Sequence, residues 1–180
     1  MIYADNAATT KISTAALTAM TECMEKCFAN PSSLHYEGQV AKELLECSRN
    51  TIASLIGADP KEIYFTSGGS ESDNQAIISA AAAGARKSKR HIISTKIEHH
   101  AVLHTLNKLE KEGFEITLLD VSPEGVVSAE DVKNAIRPDT ALVTVMYVNN
   151  EIGTIQPIAE IGAVCREKGV IFHTDAVQAI

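Results

Sequence analysis

The chain has 180 residues, 45% of them hydrophobic, and a formal net charge of −7. That length supports one domain with a substantial core, and that hydrophobic share excludes a disordered chain. The acidic balance excludes nucleic acid as an expected partner, because binding a phosphate backbone needs clustered cations; only KSKR at 87–90 is locally basic, and it reads as a solvated loop.

In chain order, Leu17, Met20 and Met24 recur at helical spacing and predict a helix over 14–28, broken by Pro31. A second helix is expected over 38–56, with Gly57 as its C-terminal cap. EIYFT at 62–66 predicts a short strand, and SESDNQAIISAAAA at 70–83 a helix. A strand follows at 91–95 (HIIST), then a helix over 99–112 stopped by Gly113, then a strand at 115–120. Ser128, with Asp131 three residues on, resembles a capping box and opens a helix to 136. ALVTVMYV at 141–148 is apolar on both faces and predicts a central buried strand. A helix over 157–168 closes at Gly169, and a last strand covers 170–174. Strands alternating with helices predict an α/β fold of three layers, with a mainly parallel sheet between helices.

No apolar run approaches the ~20 residues that cross a bilayer. MIYADNAATT has no charged-then-apolar leader pattern. A cytoplasmic protein with no membrane partner is expected. Cys23, Cys27, Cys47 and Cys165 show no CxxC spacing, so neither zinc nor a disulfide framework is expected. Cys23 and Cys27 share a helix face and read as buried small side chains.

Open α/β sheets bind ligands beyond the carboxyl ends of their strands. The residues expected there are Ser67-Gly68-Gly69-Ser70-Glu71, Glu98-His99-His100, Asn149-Asn150-Glu151, and Asp175 with Gln178. The glycines and Ser70, opening a helix, suit a phosphate; a Gly-Gly turn before a helix is also an ordinary connection. Asp175, following an apolar strand, needs a partner such as a protonated ring nitrogen, or it serves as a helix N-cap. His99 can stack on a planar ring, move protons, or cap its helix. Asn149 and Asn150 can hydrogen-bond a ring hydroxyl or a carboxylate, or simply form a turn. Glu151 reads as a structural hydrogen bond. His100 and His104 stand at i, i+4 without a third ligand, so no metal site is expected.

YADNAATT (3–10), NPSSLHYEG (30–38), FTSGGSESDN (65–74), EHHAV (98–102), VNNEIGTIQPI (148–158) and HTDAVQA (173–179) together resemble the cysteine desulfurases, within the class V group of aminotransferase-like enzymes that depend on pyridoxal 5′-phosphate (PLP). The six motifs stand in the family's order over essentially the whole chain. The resemblance implies the large domain of a fold type I PLP-dependent transferase. In it, Gly69 and Ser70 hold the cofactor phosphate, and His99 stacks on the ring and assists proton transfer. Asn150 contacts ring or substrate, Asp175 pairs with the pyridine nitrogen, and Gln178 bonds the ring hydroxyl. It implies conversion of L-cysteine to L-alanine with sulfur kept as a persulfide for iron–sulfur or thiolation chemistry. It also implies a sulfur-acceptor protein as partner and a homodimer.

In the family, a Schiff-base lysine in a Ser-x-His-Lys motif, a mobile catalytic cysteine and a carboxylate-binding arginine follow the DAVQ segment. The sequence stops at Ile180, before all three, and none of its cysteines matches the catalytic one. The expectation is therefore the N-terminal part of one large domain, truncated and inactive by itself. The competing readings are a selenocysteine lyase or aminotransferase of the same class, or a non-catalytic fragment acting as a scaffold.

Overall fold

A computed structural model describes residues 2–6 and 9–179. Ala7 and Ala8 of the first motif, Met1 and the terminal Ile180 lie outside the described residues. The backbone groups into two compact units, Met1–Phe65 and Thr66–Ile180.

The first unit is helical. Helix α1 spans Thr14–Lys26, with the Ser13 hydroxyl accepting from the Ala16 N–H. It buries no residue of its own. Leu17, Met20 and Met24 are exposed, although their spacing suggests a core face. The helical period survives because it is a local property; no packing partner in this unit covers the stripe. Cys23 and Cys27 are half-buried, not fully buried as expected. Helix α2 spans Tyr36–Ile56 and ends at Gly57, whose φ of 69° is the left-handed conformation that glycine adopts without a Cβ clash.

The strand expected at 62–66 does not form. Pro60–Glu62 is a single 3-10 turn in which Asp59 and Glu62 form a reciprocal capping box. The Ile63 carbonyl then accepts from the Arg49 guanidinium. EIYFT has strand-forming residues, but its first backbone groups are taken by the 3-10 turn and by Arg49, and it has no neighbouring strand among the described residues.

The second unit carries the sheet. Helix α3 (Gly69–Ala85) leads to β1 (His91–Thr95), α4 (His100–Lys111), β2 (Glu115–Leu119), α5 (Ala129–Ala135), β3 (Thr140–Thr144), α6 (Ile158–Lys168) and β4 (Ile171–His173). The strands are ordered β2-β1-β3-β4, and every pairing is parallel. Alternation across the strands divides the core. Ile92 and Leu142 face α3 and α4, packing with Ile77, Val102, Leu106 and Leu109. Ile93 and Val143 face the other way, with Val132, Ile161 and Cys165 of α5 and α6. This is the expected three-layer arrangement, and the buried β1 and β3 are its centre. Ser128 caps α5 by accepting from Asp131 N–H at 2.9 Å. The basic 87–90 segment is mostly exposed. Among the described residues, no helix is long and apolar enough to cross a membrane.

The strand expected over 141–148 ends at Thr144. Beyond it, Val145 N–H and Tyr147 N–H still donate to the carbonyls of His173 and Asp175. Val148 forms an isolated antiparallel bridge with Ile155, and the chain turns back through Gly153 at φ 71°. The reversal cuts the apolar run short.

Candidate functional site

The strand order places a topological switch point between β1 and β3. The chain leaves β1 for β2 on one side and then crosses to β3 and β4 on the other. Diverging connections leave a crevice beyond the carboxyl ends of the two central strands. A cleft of about 310 Å³ lies there, lined by residues 96–100 after β1, by Leu103, and by residues 149–152 after β3. His99 and Asn150, both expected at a site, come together in it.

His99 is the N-cap of α4, and its Nδ1 accepts from Ala101 N–H at 3.1 Å. That bond leaves Nε2 as the nitrogen that bears the proton in the neutral ring. Stacking on a ligand ring and capping are therefore compatible uses of one side chain. Asn149 is committed elsewhere. Its amide donates to the Ile97 carbonyl at 2.8 Å, and its Oδ1 accepts from the N–H groups of Glu151 and Ile152. Of the two asparagines, only Asn150 has its amide at the cleft without such a commitment. Glu151 is exposed there.

The 67–70 turn follows an extended segment, not a sheet strand as the sequence suggested. Gly68 is the N-cap of α3 and makes no side-chain cap bond. Ser72 N–H, donating to the Gly68 carbonyl, makes the first intrahelical bond. The N–H groups of Gly69, Ser70 and Glu71 precede it and have no carbonyl to donate to. The Glu71 carboxylate, which would repel an anion there, turns back to accept from Ser67 N–H and Ser67 Oγ, both at 2.6 Å; these bonds hold its pKa below the usual range. Gly69 also abuts the turn after β4: a Cβ built on it would lie 2.6 Å from Val177 Cγ2. The structure thus brings Gly69 against the 175–178 turn, with Ser70 on the exposed start of the helix and Gln178 on the exposed side of the turn.

Asp175 is 7% exposed and accepts from Val177 N–H at 3.0 Å. Two further carboxyls stand near enough to interact with it: Glu98, placed at a strand end by the sequence but given no role, and Asp73, not singled out there. Glu98 and Asp73 are each 4% exposed. Burial drives the Glu98 carboxyl up to about 7, opposed by the Thr95 hydroxyl and the Met146 N–H and reinforced by the negative charges of Asp175 and Asp73. Burial and then Asp175 raise Asp73 to about 6. The nearest base is His173, whose Nε2 is 3.6 Å from Asp73 Oδ1 and whose Nδ1 meets Thr144 Oγ1 at 2.8 Å. Burial lowers the His173 pKa, against the pull of Asp175. Among the described residues, no lysine or arginine pairs with any of the three carboxyls. The neighbouring Thr174 Oγ1 is buried with no hydrogen-bond partner. A buried acidic cluster without a cation is costly. Its chemistry suits a ligand that brings a protonated nitrogen.

The residue missed, Asp73, and the role missed, that of Glu98, each left a signal. Asp73 stands on the helical stripe of Ile77, Ala80, Ala81 and Gly84, which marks it as buried. Glu98 follows a fully buried strand within three residues.

The model of the family described as aminotransferase class-V matches residues 2–180. The chain is 52% identical to the cysteine desulfurase IscS of Clostridium botulinum over 179 residues, which cover 99% of this chain and 45% of that protein. It is 55% identical to a putative cysteine desulfurase IscS 1 of Bacillus subtilis, covering 99% of this chain and 47% of that one. A solved structure described as SspA in complex with cysteine superimposes with a TM-score of 0.94 at 44% identity, over 98% of this chain and 51% of that chain. The chain spans about half the length of the relatives it matches.

Proposed function

Because the chain belongs to the class-V aminotransferase family, we propose that it is the N-terminal part of the large domain of a PLP-dependent cysteine desulfurase. The observation that carries this reading is the buried Asp175 carboxyl, which among the described residues has no lysine or arginine partner. In this reading, the first-turn N–H groups of α3, at Gly69 and Ser70, hold the cofactor phosphate together with the Ser70 hydroxyl. Asp175 pairs with the protonated ring nitrogen, and Gln178 bonds the ring hydroxyl. His99 stacks on the ring and presents its Nε2–H, the donor left by the Ala101 bond, to the ligand during proton transfer. Asn150 orients ring or substrate from the opposite wall of the cleft. PLP supplies the electron sink that lets the C–S bond of a bound amino acid break.

The substrate proposed is L-cysteine. The products are L-alanine and a sulfur atom held as an enzyme persulfide, then passed to an acceptor protein. A second copy of the chain is the proposed partner in a homodimer. The test uses the complete gene product with PLP and L-cysteine, measuring alanine and transferable sulfur together. Equal release of both is expected; PLP-loaded protein that makes no alanine from cysteine would overturn the reading. Asp175→Asn keeps the side-chain size but removes the charge. It is expected to fold and to lose most turnover, and full turnover in that variant would remove Asp175 from this role.

A further inference from the structure

We infer that Glu98 is a positioning residue: its buried carboxyl splices the end of β1 to the end of β3 and so fixes the two walls of the cleft, His99 on one side and Asn150 on the other. This rests on the cofactor reading of the cleft and adds to it a residue that acts by holding the two walls together.

The need for a splice comes from strand geometry. Successive N–H groups along a strand point to opposite sides. Beyond Thr144, Val145 and Tyr147 donate toward the β4 side, to His173 and Asp175. Met146 N–H therefore points toward β1, which has ended at Thr95. Met146 is buried and water does not reach its amide. The Glu98 carboxyl takes the place of the missing strand, with both oxygens 3.1 Å from Met146 N. Thr95 Oγ1 donates to Oε1 at 2.6 Å and sets the carboxyl's direction from the last residue of β1. A second tie, from Asn149 Nδ2 to the Ile97 carbonyl, crosses the same gap. The two ties hold adjacent residues, Ile97 and Glu98, immediately before His99, the N-cap of α4. With the Glu98 tie cut, this segment keeps one anchor and can pivot about it.

Reach and charge can be separated. Glu98→Gln keeps the reach, because a carbonyl oxygen in the Oε1 position can accept from both Thr95 and Met146; its NH2 takes the Oε2 position, cannot accept, and must turn off the Met146 N–H. Glu98→Asp keeps the charge but is one methylene too short. The complete gene product is examined first without cofactor, by amide hydrogen exchange over 96–103 and 145–152. Glu98→Gln is expected to stay nearer wild type than Glu98→Asp, which exchanges faster in both segments. PLP affinity is then titrated well below the melting temperature of each variant. Glu98→Asp is expected to bind about tenfold more weakly, since small misplacements of oriented groups are expensive, while Glu98→Gln stays near wild type. An Asp variant that exchanges and binds like wild type, or a Gln variant as impaired as the Asp variant, would overturn the inference. Failure of wild type to bind PLP would instead refute the cofactor reading, and the exchange experiment would still decide whether the splice exists.

Discussion

Replacing Glu98 by glutamine should flatten the pH dependence of stability in a window set by burial. The carboxyl has an ordinary value of 4.5 and stands at about 7 in the fold. Below 4.5, folded and unfolded chains both hold the proton, and the full contribution is present. As pH rises from there, the unfolded chain releases its proton first, and stability falls until pH passes about 7. At about 1.36 kcal/mol per pH unit, the span from 4.5 to about 7 corresponds to about 3 kcal/mol. Asp73, raised by burial and then by Asp175, adds to the same slope, so the difference between wild type and variant is the informative quantity. Urea unfolding of the cofactor-free complete gene product, at steps across that window, measures it. The stability of wild type relative to Glu98→Gln should fall by about 3 kcal/mol as pH rises from 4.5 to about 7. Parallel curves would show that Glu98 titrates alike in the folded and unfolded chains and refute the argument from burial.

Gln156 is 2% exposed; its Oε1 accepts from Val127 N–H at 2.9 Å and its Nε2 donates to the Gly125 carbonyl at 2.7 Å. Gln156→Ala leaves two buried backbone groups unpaired and should cost about 3 kcal/mol in urea unfolding. At Gly84, an added Cβ would run into the Ala141 Cβ and crowd the Lys89 carbonyl, where α3 crosses β3. Gly84→Ala should therefore destabilise by about 1–3 kcal/mol despite alanine's better helix propensity, seen as a lower melting temperature. Burial pushes the Cys165 thiol up to about 11, whereas Cys47 is exposed. Alkylation of the native protein near neutral pH, followed by peptide mapping, should label Cys47 long before Cys165.

Much of the second unit was legible in the residue pattern. HIIST and ALVT form strands because β-branched residues there face apolar layers on both sides, and Gly57 and Gly169 end helices because they adopt the left-handed conformation. The first unit was legible only in part. The period of Leu17, Met20 and Met24 predicted the helix but not its exposed stripe, and EIYFT carried strand propensity without a strand to pair with.

The site divides along the same line. The order of motifs by itself determined which residues stand beyond strand ends, because a parallel sheet with helical crossovers sends every strand's carboxyl end to one edge. Thus His99, Asn150 and Asp175 could be named without coordinates. Only the tertiary structure decided the pairings between distant segments. The order β2-β1-β3-β4 put residues 96–100 opposite 149–152, committed Asn149 to Ile97, and set Asp175 close enough to Asp73 and Glu98 to raise their cost of ionisation. Electrostatic coupling and cross-strand hydrogen bonds depend on distance in space, and separations of 52 residues for Asn149–Ile97 and 48 for Met146–Glu98 leave no local periodicity from which to read them.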